Sequence, residues 1–170
     1  MQANVDEIVA DHGFEVTVLA PASDGTATQL GVFGAVNSTL LTGPLIDGSV
    51  SFAVPAEATR QRGSITLVAT VLGTSSSPIN VVVQPGRPSE PVVPLVGPRT
   101  IVADGADRTM ITVSPADQFG NALADDTAVS TVIVDTQGAS QTVVVPVDGG
   151  VAAHTAVSYT HLTLPTICSV

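Results

Sequence analysis

The chain has 170 residues, 44% of them apolar, and five Arg with no Lys against fifteen Asp plus Glu give a formal net charge of -10. That is enough apolar material for one domain or two small ones, while the acidic surface repels nucleic acid and anionic lipid. No apolar run approaches the ~20 residues that span a bilayer, which excludes direct membrane insertion by a helix, and "MQANVDEIVADHG" lacks the basic start and apolar stretch of a signal peptide.

In chain order, short runs of alternating Val, Thr, Ile and Leu recur between clusters of Gly, Pro, Asp and Asn, and no window holds helical spacing for long. The pattern predicts an all-β protein. Strands are expected at "FEVTVLA" (14–20), "GSVSFAVPA" (48–56), "GSITLVATVLG" (63–73) and "PINVVVQ" (78–84), then at "RTMITVSPA" (108–116), "TAVSTVIVD" (127–135), "QTVVVPV" (141–147) and "GVAAHTA" (150–156). Between the fourth and fifth, Pro85, Pro88, Pro91, Pro94 and Pro98 remove backbone donors and fix φ. Such spacing favours a semi-rigid linker over 87–98, followed by a short edge strand near Thr100 to Ala103.

The two sides of this linker repeat each other. "LIDGSVSFAVPA" (45–56) matches "PVDGGVAAHTAV" (146–157), and "IVADHGFEVTVLA" (8–20) matches "ALADDTAVSTVIV" (122–134), in the same order. The offsets of roughly 100 to 115 residues have the length of an immunoglobulin-like sandwich.

The stretch "TIVADGADRTMITVSPADQFGNALADDTAV" (100–129) resembles the start of a bacterial Ig-like domain of the invasin/intimin type. Asp104, Gly105, Asp117, Gly120, Asn121 and Asp125 fit that family's turn pattern, and Thr127 and Val129 open the next strand; Asp126 departs from it, the family more often having Gly there. Gly and Asn tolerate positive φ, and Asp accepts hydrogen bonds from turn backbone. "GSITLVATVLGTSSSPINVVVQPGRP" (63–88) resembles the closing strands of such a domain. The resemblance implies two incomplete Ig-like β-sandwich domains in tandem: 1–86 lacking its first strands and 99–156 lacking its last. The native chain is then cut at both ends, and the edge at 48–54 is expected to lack its partner. A linker of this length could carry residues 99–113 back to fill that edge. Native-order pairing of 108–113 with 150–156 is the favoured expectation, because the Pro-rich segment is stiff.

The tail "VSYTHLTLPTICSV" (157–170) holds the only Tyr, the only Cys and one of three His. "VSYTHLTLPT" resembles the translation of GTC TCT TAT ACA CAT CTG ACG CTG CCG ACG, the end of a transposon-based sequencing adapter. Ile167, Cys168 and Ser169 then fit a variable index, and Val170 the last codon before a stop. Residues 157–170 are therefore read as a non-native tail, expected to be disordered or loosely docked.

Chemistry is sparse. His12 and His154 stand apart from any nucleophilic motif, and His161 lies in the tail. No phosphate loop, His-x-x-x-His pair or Cys pair occurs. Acidic pairs lie beside turns at Asp6 and Glu7, Asp104 and Asp107, and Asp125 and Asp126, yet none has the ligand spacing of a calcium loop. With aromatics at 3% and no Trp, a sugar cleft is disfavoured, and Phe14, Phe33, Phe52 and Phe119 are expected mostly in the core. The "NST" sequon at Asn37 to Thr39 carries little weight. Thus no catalytic, cofactor or metal residue is assigned. The resemblance implies a non-enzymatic spacer of an extracellular or cell-surface protein, with neighbouring Ig-like repeats as partners. The alternatives are an accessory module of a secreted polysaccharide-degrading enzyme and a partner-binding adhesive domain.

Overall fold

In a computed structural model, residues 1–34, 37–89, 92–102, 104–134, 138, 140–157 and 166–169 are described, the last four by backbone alone. The chain is all-β and divides into two compact units, Met1–Gly86 and Arg87–Val170.

The first unit contains β1 (Gln2–Ala3), β2 (Glu7–Val9), β3 (Phe14–Leu19), β4 (Ala27–Phe33), β5 (Ser38–Pro44), β6 (Ser49–Val54), β7 (Gly63–Val71), β8 (Thr74–Ser75) and β9 (Ile79–Gln84). Alternation sets the faces. In β3, Phe14, Val16 and Val18 are buried while Glu15 and Leu19 are exposed, the period of a strand covered on one side. One sheet has the order β1-β3-β6; the other runs β2-β9-β7-β4-β5, with β8 against β7. Between them lie Val16, Val18, Leu30, Val32, Ile65, Leu67, Val81 and Val83. Sandwich architecture follows because each sheet has a single apolar face.

The second unit contains β10 (Leu95–Gly97), β11 (Arg108–Val113), β12 (Ala128–Val134), β13 (Ser140–Pro146), β14 (Ala152–Val157) and β15 (Thr166–Ser169). Its sheets are β10-β11-β14 and β13-β12-β15. Val113, Val129, Val147 and Ala152 form one cluster of its core, and Ile111, Ile133 and Ala156 another.

The units repeat one strand plan. β3 pairs with β6 as β11 pairs with β14, both antiparallel over six residue pairs. β4 pairs with β5 as β12 pairs with β13, over seven. A two-residue turn precedes the fourth strand in each: Asp47 and Gly48, or Gly149 and Gly150, take positive φ between the bridged residues Ile46 and Ser49, or Asp148 and Val151. This is the geometry of a primed turn.

Five expectations need correction. The edge at 48–54 has its partner in β3, so the first unit does not lack that strand. Residues 8–20 therefore correspond to Arg108–Val113 and not to 122–134; both runs alternate in the same way, and alternation alone cannot tell one strand of a sandwich from the next. The segment read as a linker carries β10, whose Leu95, Val96 and Gly97 lie opposite Thr112, Ile111 and Met110. Pro94 and Pro98 flank it, and an edge strand tolerates Pro where its missing donor is not needed. The expected strand at Thr100 to Ala103 is not formed over 100–102, and Ala103 lies outside the described residues. Finally, Thr166–Ser169 is not loose: it pairs antiparallel with Ser130–Ile133, because the unpaired edge of β12 offers donors and acceptors to whatever strand is near.

Native-order pairing holds in the second unit, where Val113 lies opposite Ala152 and Thr112 opposite Ala153.

Candidate functional site

The turn after β11 is the most elaborate polar structure. Asp117 is 2% exposed. Its Oδ1 accepts from the backbone N–H groups of Phe119 and Asn121, both at 2.9 Å, and its Oδ2 accepts from Asn121 Nδ2 at 2.8 Å. Asp117 N donates in turn to Asn121 O at 2.9 Å, and Gly120 takes φ +80°. The Asp, Gly and Asn of the family-like motif therefore close one loop among themselves. The carboxylate is an internal acceptor for turn backbone.

Asp104 and Asp107 act similarly. Asp104 Oδ1 accepts from Ala106 N at 2.7 Å and Asp107 N at 2.8 Å, while Asp107 Oδ2 accepts from Val102 N at 2.8 Å. Asp125 and Asp126 lie in the turn before β12, where Asp126 has φ +66° and its N–H donates to Val147 O. Asp6 and Glu7 are exposed, and Asp6 O accepts from Val82 N. Among the described residues, no three His, Cys, Asp or Glu side chains converge as a metal cluster would require.

His12 is exposed, with Nδ1 3.2 Å from Ala10 O. His154 lies on β14 opposite Ile111, half-buried. The two belong to different units, and His161 lies outside the described residues. Phe14 and Phe52 are buried as expected and Phe119 is half-buried, but Phe33 is 50% exposed. Its ring covers Gly31, where an added Cβ would come within 2.7 Å of Phe33 Cε2. A glycine beneath it lets this aromatic lie flat on the outer face.

An open groove of about 350 Å³ at one end of the first sandwich is lined by residues such as Val18, Leu19, Pro21, Val71, Leu72 and Ser75. No acidic, basic or imidazole side chain lines it. It offers apolar contact and the hydroxyls of Thr74, Ser75 and Ser76, with no side-chain acid or base beside them to activate one.

Sequence reading also missed a parallel strand pair. β2 lies parallel to β9, with Glu7 opposite Val82, Ile8 opposite Val83 and Val9 opposite Gln84. Val82 N donates to Asp6 O at 2.9 Å, and Ala10 N to Gln84 O at 2.8 Å. Strands near the two ends of the unit thus run side by side in the same direction. The only signal for β2 was the three-residue run Glu7–Val9, too short for any periodicity. Among the described residues, no helix is long and apolar enough to cross a membrane.

No family model matches the chain, and no curated protein matches it. Among solved structures, it is similar to a tetra-tandem repeat in the extending region of a large adhesion protein, at 15% identity and a TM-score of 0.43, over 90% of this chain and 38% of that one. It is similar also to a glycosyl hydrolase family 2 member from Bacteroides cellulosilyticus DSM 14838, at 16% identity and a TM-score of 0.25, over 94% of this chain and 29% of that one. The chain thus spans well under half the length of either.

Proposed function

We propose that this chain is a non-enzymatic spacer, two tandem Ig-like sandwiches of the invasin/intimin type that separate other parts of a bacterial surface or secreted protein. The supporting observation is the parallel β2 and β9 pair. Tension applied through the ends of the first unit pulls β2 by its start and β9 by its end, so their hydrogen bonds are stressed together in shear and do not open one at a time. Each bond is worth only about 1 kcal/mol net, and simultaneous rupture makes the set resist far more than its members in sequence. The engagement of Asp104, Asp107 and Asp117 by backbone donors also supports a structural role.

A non-native origin is proposed for residues 157–170, supported by their match to an adapter reading frame. On this reading the strand they form is an accident of composition meeting an open edge. Stretching single molecules of the whole chain between surface handles tests the spacer reading. A discrete force peak releasing about 80 residues, roughly 25 nm at about 3.3 Å per residue, is expected for the first unit, and smooth extension without a peak contradicts it.

A further inference from the structure

Four non-glycine residues stand at positive φ among the described residues, and three of them are Asp: Asp11, Asp47 and Asp126. The fourth is Leu72, at φ +50°. It opens the two-residue turn between β7 and β8, where Val71 lies opposite Thr74 and Gly73 takes φ +78°. Positive φ at both central residues is the primed geometry that favours Asn or Asp before Gly. The turns before β6 and β14 obey that preference with Asp47-Gly48 and Gly149-Gly150. Leu has no side-chain acceptor for turn backbone, and its bulk is poorly suited to positive φ.

Burial does not offset this strain. The Leu72 side chain is 78% exposed, and a Cβ on Gly73 would meet open space. Folding of the first unit gains nothing from Leu at this position, and strain without an internal return marks a functional contact. Leu72 borders the groove of about 350 Å³ that Val18, Leu19, Pro21 and Val71 also line, and Leu19 is itself 61% exposed. A projecting apolar side chain and an unfilled apolar hollow thus share one end of the sandwich.

That juxtaposition selects the partner. Leu72 does not fill the hollow of its own molecule, but a two-fold axis through this end places Leu72 of each copy in the hollow of the other. One patch then supplies both halves of the contact, as isologous interfaces require. Two chains of net charge -10 repel each other. No acidic or basic side chain lines the groove, so two copies meet there without facing like charges, and a basic partner gains nothing from it.

We propose that the Leu72 turn and the adjoining groove form a self-association surface, through which two copies of the chain pair weakly about a two-fold axis. This does not depend on the spacer reading.

Sedimentation of the full chain at concentrations up to about 1 mM, the range of weak complexes, should show a reversible monomer–dimer equilibrium. Leu72→Asn restores the residue that the turn prefers, so it should raise the dissociation constant at least about tenfold while the melting temperature of the monomer stays equal or rises. In a Cys168→Ser background, a mass-tagged Leu72→Cys chain should form a mixed disulfide with a Leu19→Cys chain and not with a Leu40→Cys chain, although Leu19 and Leu40 are equally exposed at 61%. A monomer at every concentration, a dimer that survives Leu72→Asn, a lower melting temperature for that variant, or cross-linking without preference each overturns the proposal.

Discussion

Ala128 stands opposite Pro146 at the start of a seven-pair ladder, as Ala27 stands opposite Pro44 at the start of the same ladder in the first unit. A one-residue slip would send every side chain of a strand to the wrong face, so identical registers mean that both units solve the same packing problem. Equivalent positions can then be compared, and the predictions use that comparison.

Thr28 and Val129 occupy equivalent positions, opposite Gly43 and Val145. Both are fully buried, but Thr28 Oγ1 has no hydrogen-bond partner. A buried hydroxyl without a partner costs on the order of 1 kcal/mol or more. Thr28→Val, the second unit's own solution in the same shape, should stabilise the first unit by about 1 kcal/mol, measured by denaturant unfolding. A loss of stability would mean that the hydroxyl has an acceptor.

The turn before β14 contains a second comparison. Gly150 has φ +82°, and a Cβ there would sit 3.0 Å from Ala122 Cβ. Gly149 has φ +56° with open space around it, where its counterpart in the first unit is Asp47 at φ +51°. Gly150→Ala should destabilise by about 1 to 2 kcal/mol through positive φ and crowding. Gly149→Asp should be neutral within about 0.5 kcal/mol, since Asp tolerates this conformation. Equal effects in thermal melts would show that the turn is not formed as described.

Asp117→Ala should be the most damaging turn substitution in the second unit. It leaves the Phe119 and Asn121 N–H groups and the Asn121 side chain without the acceptor they share. A loss of about 2 to 4 kcal/mol is expected for a buried, charge-assisted set of this kind. Asp117→Asn, which keeps one oxygen, should lose less. Amide hydrogen exchange at Asn121 should rise in step with the loss of stability.

Eight strands were legible because their alternation is regular and their ends are marked by Gly, Pro or Asp-Gly. β4 and β5 were not. "ATQLGVF" has Gly31 at its centre, which reads as a break until Phe33 is seen lying over it. In "STLLTGP" no residue is fully buried, and the final Gly43 and Pro44 resemble a turn. Missing these two strands shifted the repeat, and that made the first unit look truncated. In the shared register His154 faces Ile111 as Phe52 faces Val16, a pairing of unlike residues that no comparison of residue types would find. The Asp and Gly turn residues were legible because their roles are local. The β2 and β9 pair joins residues over seventy positions apart through main-chain bonds, which leave almost no trace in side-chain pattern.

The measurement closest to the central claim is the unfolding force of the first unit with and without Val82→Pro. Val82 N donates to Asp6 O, while its side chain is 44% exposed. Proline there removes a bond of the parallel pair, at the cost proline carries in a strand paired on both sides. Pulled through the ends of the whole chain, the wild type should show its highest peak for the first unit, and Val82→Pro should lower that peak by about a third or more, a larger fraction than its loss of equilibrium stability. An unchanged peak would place the mechanical barrier elsewhere and contradict a spacer that resists tension through β2 and β9.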